Sequence, residues 1–126
     1  MIKPTESELS ILSILWSDGP STVRHVNEKL NTERRVGYTN TLKMMQLMHE
    51  KGMLDRDETS RSHIYIPLVQ AEDVRNNVLN RMINTVFEGK TSNLLVHALG
   101  NYKPSEEELT EIKRLIEKLD NSSNND

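Results

Sequence analysis

The feature that most constrains the fold of this chain is a change of hydrophobic period at Gly52. Before Gly52, apolar residues recur every three or four positions in three short segments, which is typical of amphipathic helices. After it, residues 53–54 and 64–66 are short strand-like runs on either side of the polar segment 58–62. The pattern therefore predicts three helices followed by a β-hairpin within residues 1–70.

Capping signals mark where the predicted helices begin. Thr5 is followed three residues later by Glu8, which is the pattern of a capping box at the start of the first helix. An Asp-Gly-Pro sequence ends that helix, and Ser21 or Thr22 begins the second one. The polar segment 31–36 is predicted to be the turn that leads into the third helix.

The third predicted helix runs from about Tyr38 to Lys51, with Gly37 as its N-cap and Gly52 as the left-handed residue that ends it. Helical periodicity places Thr41 near the edge of its inner face, and the inner positions are Leu42, Met45, and Met48 or His49. The outward positions are mostly polar: Thr39, Asn40, Lys43, Gln46, Leu47 and Glu50. This helix therefore presents hydrogen-bonding side chains away from the core.

Three helices followed by a hairpin form the winged version of the helix-turn-helix unit. In that unit the second helix braces the third, whose N-terminal part enters the major groove of DNA. The candidate DNA-binding residues, with Arg34 and Arg35 flanking them, are Tyr38, Thr39, Asn40, Lys43, Gln46 and Arg61. On spacing alone, an ordinary solvated helix face explains the same residues equally well.

The charge distribution gives a DNA-binding function little support. Residues 1–70 contain nine Lys/Arg and nine Asp/Glu, whereas residues 71–126 contain seven and ten. A strongly basic domain is the usual electrostatic sign of a nucleic-acid partner, and this sequence lacks one. The neutral balance leaves open an alternative function, that of a winged-helix protein–protein interaction module without sequence-specific DNA binding.

The segment 71–120 carries three further apolar stripes. One helix is predicted up to Gly89, a short one over 94–99, and a third after the capping pair Ser105 and Glu108. Since about 50 residues in short helices bury little surface alone, we predict that they pair with a second copy rather than form an intramolecular core. The candidate dimerisation residues are Val78, Met82, Phe87, Leu95, Leu109, Ile112, Ile116 and Leu119.

The predicted organisation therefore has three parts. Residues 1–70 are a winged-helix DNA-binding domain, residues 71–120 are a helical dimerisation domain, and residues 121–126 are a disordered tail. The predicted fold class is mainly α. It is a winged helix-turn-helix with a two-stranded β-hairpin wing, followed by a C-terminal helical dimerisation region.

Composition excludes several classes of function. The chain has no cysteine, which excludes disulfides, thiolate nucleophiles and cysteine-ligated metals. No nucleophilic triad or glycine-rich phosphate loop is recognisable, so we predict no catalytic residue and no enzymatic activity. We expect no metal and no cofactor, because the methionines at 44, 45, 48 and 53 are typical of core filling and the histidines lack metal-ligand spacing: His25, His49, His63 and His97.

Membrane insertion is also unexpected. The most apolar stretch, residues 9–16, is too short to cross a bilayer and contains two serines. The chain also lacks the basic start and small-residue cleavage site of a signal peptide. The expected location is cytoplasmic.

Several short motifs, taken in order, are similar to those of one protein family. They are Leu15-Trp16, Thr22-Val23 with Val26, the segments 37–42 and 51–54, the Arg-x-His-x-Tyr-x-Pro pattern of 61–67, Phe87-Glu88-Gly89, and 94–96. No single motif is specific, but their order and spacing are. Over nearly its whole length the chain resembles the penicillinase repressors of the BlaI/MecI type.

The resemblance implies a homodimeric transcriptional repressor that binds dyad-symmetric operator DNA through its third helix. It further implies control of an antibiotic-resistance or similar stress operon, and release by cleavage that a membrane-bound sensor-protease system triggers. Copper-responsive relatives use a cysteine-rich tail, so copper sensing by that route is excluded.

Two departures from the family pattern limit what the resemblance carries over. Asn40 and Thr41 stand where threonine and valine are frequent, so the operator sequence is not implied. His97-Ala98 stands at the position of the family's protease target, but without the asparagine–aromatic pair that the relatives have there. The protease and the release mechanism are therefore left open.

Overall fold

A computed structural model describes residues 3–124 of the chain. The elements in order are α1 (Glu6–Asp18), α2 (Val23–Leu30), α3 (Tyr38–Glu50), β1 (Leu54–Asp57), β2 (Ile64–Pro67), α4 (Ala71–Thr85), α5 (Thr91–Asn101) and α6 (Glu106–Asn124). The two strands pair antiparallel, with Arg56 opposite Tyr65. This confirms the predicted fold class, a mainly α winged helix-turn-helix with a two-stranded wing.

The chain divides into two compact units, Met1–Leu79 and Asn80–Asp126. The division between these units falls within α4, and the domain boundary predicted from the sequence lies between residues 70 and 71. The first turn of α4 belongs to the first unit for two reasons. The indole N–H of Trp16 donates to the carbonyl of Val69 at 2.9 Å, and the side chain of Val74 is buried.

The core of the first unit is formed by α1, α2, α3 and the hairpin. Its fully buried large side chains come from each of these elements: Ile11, Leu12, Leu15, Val26, Met45, Met48, Leu54 and Tyr65. Of the four methionines predicted to fill the core, Met45, Met48 and Met53 are buried in it, and Met44 is half-buried and packs against it. Burying a side chain of this size stabilises a fold by roughly 1.5–3 kcal/mol. Burial of the apolar faces of α1, α2 and α3 therefore accounts for much of the stability of the first unit.

The predicted starts of α1 and α2 are confirmed, whereas α5 begins at Thr91 and not at the predicted residue 94. Thr5 and Glu8 form a reciprocal capping box at α1, and the Thr22 hydroxyl accepts from the His25 backbone N–H at α2. The link between these helices forms an isolated β-bridge to β2, in which Ser21 and Tyr65 exchange backbone hydrogen bonds of 2.8 and 3.1 Å. The wing is thereby attached to the helical core through the backbone as well as through the buried Tyr65 ring.

Two local expectations for α3 and the wing differ from the structure. Thr41, predicted near the edge of the inner face of α3, is 1% exposed, whereas Leu42 is only half-buried. The inner face is rotated in this direction because Thr41 has a hydrogen-bonding partner on α2, namely Asn27. The first strand begins at Leu54 and continues to Asp57, beyond the predicted 53–54, because its last residues pair with Ile64 and Tyr65.

The second unit contains the end of α4, α5 and α6. No residue between 80 and 123 is buried. A left-handed pair, Glu88 (φ 54°) and Gly89 (φ 75°), follows α4, and the Ser105 hydroxyl accepts from the Glu108 N–H at the start of α6. The helix α6 continues to Asn124, so it includes residues 121–124 of the segment that was predicted to be a disordered tail. Residues 125–126 lie outside the described part.

Candidate nucleic-acid interface

All the residues predicted to contact DNA lie on the surface of the first unit. Tyr38 is 49% exposed, and Arg61 is exposed beyond the end of β1. The other four are exposed positions on α3, on the side opposite its buried face: Thr39, Asn40, Lys43 and Gln46. A continuous polar surface thus runs along α3.

The structure assigns these residues to two clefts on either side of α3. The wing-side cleft lies between α3, the start of α2 and the wing, and its polar lining includes Arg24, Tyr38, Gln46, Arg61 and His63. The turn-side cleft lies between α3 and the α2–α3 turn, and its lining includes Arg34, Arg35, Asn40, Lys43 and Leu47. Thr39 lines neither of these two clefts and, by helical rotation, lies between them.

The turn before α3 is held by two asparagines. The Asn27 side-chain N–H donates to the Val36 carbonyl at 3.0 Å and to the Thr41 hydroxyl at 2.9 Å. Asn31 donates to the same Val36 carbonyl at 2.9 Å and accepts from the Val36 N–H at 3.1 Å. Because Val36 immediately precedes the N-cap Gly37, these bonds set where α3 begins and how it is rotated about its axis.

Asn27 and Asn31 were not predicted from the sequence to be positioning residues. The only sign of this role in the sequence is that the two asparagines are four residues apart and close to a polar turn. Their function depends on Val36 and Thr41, which are brought to them only when α2 and α3 pack together. Arg24 and His63 were also missed, because they are far apart in sequence and meet only at the wing-side cleft.

The far end of α3 is joined to the start of α1 by an ion pair. The Lys51 ammonium lies 3.1 Å from Glu8, whose side chain is 6% exposed. Burial opposes ionisation of Glu8, but hydrogen bonds from the Thr5 backbone and from Lys51 outweigh it, so the pKa of Glu8 lies below its ordinary value. Both ends of α3 are therefore fixed by polar contacts to other helices.

The wing has its own local contacts. Arg56 lies over the buried Tyr65 ring at 6.0 Å and donates to Glu58 at 2.7 Å, and its contacts with Tyr65 and Glu58 raise its pKa. The Thr59 backbone N–H and hydroxyl donate to Asp57, which lowers the pKa of that carboxyl group. These bonds order the segment that leads to Arg61.

The candidate dimerisation residues are solvent-accessible in the single chain. Val78, Phe87 and Ile112 are half-buried. The remaining five are between 38% and 59% exposed: Met82, Leu95, Leu109, Ile116 and Leu119. By helical spacing, the four on α6 lie along one face of that helix.

Residues 3–124 contain no group of three or more His, Cys, Asp or Glu side chains that could hold a metal ion. None of their helices is both long enough and apolar enough to cross a membrane. The ring of His97 instead lies 5.6 Å from that of Phe87.

Comparison with curated proteins identifies several regulators that align over most of their length. The "Methicillin resistance regulatory protein MecI" of Mammaliicoccus sciuri is 19% identical over 114 residues, covering 90% of this chain and 93% of that protein. The "Penicillinase repressor" of Bacillus licheniformis is 20% identical over 93% of this chain and 91% of its own length. The "Transcriptional regulator BlaI" of Mycobacterium tuberculosis is 24% identical over 90% and 82%.

A solved structure and a family model complete the comparison. A MarR family protein from Bacillus stearothermophilus superposes with a TM-score of 0.56 at 18% identity, covering 98% of this chain and 77% of that one, which supports the winged-helix fold. The model of the family described as "Penicillinase repressor" matches residues 4–118. The chain therefore belongs to the penicillinase repressor family and is a winged-helix transcriptional repressor.

Proposed function

We propose that this protein binds a dyad-symmetric operator as a homodimer, with α3 of each protomer in the major groove. The observation that carries the proposal is the polar face of α3. Thr39, Asn40 and Lys43 are exposed on it, while Thr41, Met45 and Met48 on the reverse side are buried. A helix held by its apolar side and polar on the other fits the major groove, which reads base edges by hydrogen bonds.

Each candidate residue suits a particular DNA contact. The Asn40 amide can both donate and accept, which matches the edge of adenine, and Lys43 suits a guanine edge or a phosphate. Gln46 lies about two turns after Tyr38 and lines the same cleft, where its amide group can both donate and accept hydrogen bonds. Tyr38 and Arg61 reach the wing-side cleft, where a hydroxyl group and a guanidinium suit phosphate oxygens.

Dimerisation is supported by the second unit. Its described helices bury no side chain, yet they carry an apolar face on α6 and further apolar residues on α4 and α5. Pairing with a second copy removes these surfaces from water and gives two DNA-binding units per molecule. Two linked units bind two half-sites more tightly than either alone, because the second contact is intramolecular.

We further propose that the repressor controls an antibiotic-resistance or related stress operon and leaves DNA after proteolysis. The regulators named above support the first part, since their names refer to methicillin resistance and penicillinase. The proposed cleavage site is His97–Ala98 in α5. A cut there separates the apolar face of α6 from the DNA-binding unit, and a membrane-bound sensor-protease system is the proposed trigger.

Selection from fragmented genomic DNA tests operator binding. The full-length chain is expected to enrich fragments with a dyad-symmetric sequence, and footprints on them should show two half-sites about 10 base pairs apart or a multiple of that spacing. Asn40→Ala should lose specificity, with a cost of about 1–3 kcal/mol at one base pair. Arg75→Ala, an exposed charge change on α4 outside both clefts, is the control. Enrichment of no sequence would favour the protein-interaction alternative.

Release is tested in cells exposed to a β-lactam. An immunoblot of the full-length chain should show a fragment ending near residue 97 when the target gene is derepressed. Derepression with the chain intact would contradict the cleavage proposal. Dissociation of the purified dimer from DNA on adding a small molecule or a metal ion would contradict the wider expectation that this chain binds no effector directly.

A further inference from the structure

The charges around α3 are segregated although the unit as a whole is not basic. Residues 1–70 contain equal numbers of cationic and anionic side chains. The wing-side cleft nevertheless has Arg24, Arg61 and His63 in its lining and no carboxylate, and the turn-side cleft has three cations and no carboxylate. Both clefts are therefore local sites of positive potential within a segment, residues 1–70, that has no net charge.

A third cleft in the same unit has a lining of mixed charge. It lies between α1 and α2, and its lining mixes Asp18 and Glu33 with Lys29. The Lys29 ammonium is 3.9 Å from Asp18, and the His25 ring is 2.7 Å from the same carboxylate. Asp18 thus has two cationic partners, whereas among residues 3–124 none of the cations that line the two clefts beside α3 forms an ion pair.

The rotation of α3 places the two cationic clefts on nearly opposite sides of the helix. At 100° per residue, Tyr38 and Gln46 project to one side of Thr39, and Asn40 and Leu47 project to the other. A helix with its side chains is about 10–12 Å across, close to the width of the major groove. The distance between the two clefts is therefore similar to the distance between the two phosphate backbones that border a major groove.

We propose that the wing-side and turn-side clefts bind phosphates of opposite DNA strands, and that Arg24 and His63 are phosphate contacts of the wing-side strand. The proposal rests on the proposed operator binding by α3. It adds which DNA strand each cleft contacts, and it adds Arg24 and His63 to the contacting residues. Arg24 is exposed in the first turn of α2, where its guanidinium has five donors in a fork that fits phosphate oxygens. His63 is exposed in the wing and adds a ring N–H to the same cleft.

Arginine-to-alanine variants in each cleft test the proposal by salt dependence. Binding of a random-sequence duplex and of a duplex selected by the wild-type chain is measured across a range of KCl concentrations. Arg24→Ala and Arg35→Ala should each lower the salt slope by about one and weaken both duplexes by a similar factor, about tenfold at low salt. Arg75→Ala removes the same charge from outside both clefts and should leave the slope unchanged.

A second experiment tests which strand each cleft contacts. Neutral methylphosphonates replace single phosphates, one at a time, on each strand of the selected duplex. Replacing a contacted phosphate should weaken wild-type binding. Binding by Arg24→Ala and by His63→Ala should not be weakened further by methylphosphonates on one strand. Binding by Arg35→Ala should not be weakened further by methylphosphonates on the other strand.

The outcomes separate this inference from operator binding itself. If the wild-type chain selects no duplex, the proposed function fails. If the wild-type chain selects a duplex but Arg24→Ala behaves as Arg75→Ala does, the assignment of Arg24 is wrong. If Arg24→Ala and Arg35→Ala lose sensitivity on the same strand, the two-strand arrangement is wrong. Circular dichroism of each variant, all at exposed positions, should match the wild-type spectrum.

Discussion

The winged-helix unit and the C-terminal unit are built from similar amphipathic helices, yet only one of them has an interior. The first unit buries eleven apolar side chains in one cluster, from Ile11 to Tyr65. In the second unit no described side chain is buried, although α6 carries an apolar face as regular as that of α1. An apolar stripe becomes a core only where other elements of the same chain cover it.

The difference between the two units arises from what lies opposite each helix. In the first unit, α1 packs against α2, α3 and β2, and the hairpin contributes the fully buried Leu54 and Tyr65. In the second unit, α6 leaves Leu115, Ile116 and Leu119 between 55% and 59% exposed. The first unit is therefore expected to be stable as a monomer, and the second to depend on a partner copy.

The largest expected effect is on the stability of the first unit. Met45→Ala removes a fully buried side chain from α3 and should lower the free energy of unfolding by about 2–5 kcal/mol, since a cavity replaces it. Leu47→Ala, on the same helix at 43% exposure, is the control and should cost much less. Urea unfolding followed by circular dichroism measures both. Equal losses would mean that the two faces of α3 do not differ as described.

A second variant addresses the unit without a core. Ile112→Asp with Ile116→Asp places four carboxylates in a dimer seam and should raise the dissociation constant at least about 100-fold, while the first unit stays folded. Arg114→Asp makes the same change in net charge on the other side of α6 and is the control. Sedimentation at micromolar concentration reports the oligomeric state. A wild-type chain that sediments as a monomer would contradict dimerisation.

The asparagine contacts before α3 are expected to have an intermediate effect. Asn27→Ala leaves the Val36 carbonyl and the buried Thr41 hydroxyl without a donor from Asn27, at a cost of about 1–3 kcal/mol in stability. Asn40→Ala, at an exposed position on α3, should change stability by less than about 0.5 kcal/mol. Because Asn27 positions α3, its variant should also lose discrimination between selected and random duplexes. Unchanged discrimination would limit Asn27 to a structural role.

The smallest effect concerns pH. Because the folded-state pKa of Glu8 lies below its ordinary value, its ionised form stabilises the fold at neutral pH, and this contribution is lost as the pH falls through the folded-state pKa. Glu8→Gln should cost about 1 kcal/mol at pH 7, since Lys51 is half-exposed, and less once the pH has fallen through the lowered pKa of Glu8. Glu6→Gln, two residues away and exposed, is the control. A cost for Glu8→Gln that does not change with pH would contradict the role assigned to its charge.

Local signals in the sequence were sufficient for most element boundaries. The Thr5–Glu8 capping box, the Thr22 cap and the left-handed Gly52 all depend on residues within one turn of each other, so a reading of the sequence finds them. The end of α6 was missed because its last residues are polar and carry no apolar period, although the helix continues through them.

Those local signals did not predict contacts between residues that are distant in the sequence. The rotation that buries Thr41, the pairing of Glu8 with Lys51, and the position of the unit boundary within α4 each depend on partners that the fold brings together. The same is true of the clefts beside α3, where Arg24 joins Arg61 and His63 only after α2 and the wing have packed against α3. Caps and hydrophobic periods act over about one helical turn and are written in adjacent residues, whereas clefts and helix rotations follow from packing, which links residues across the whole unit.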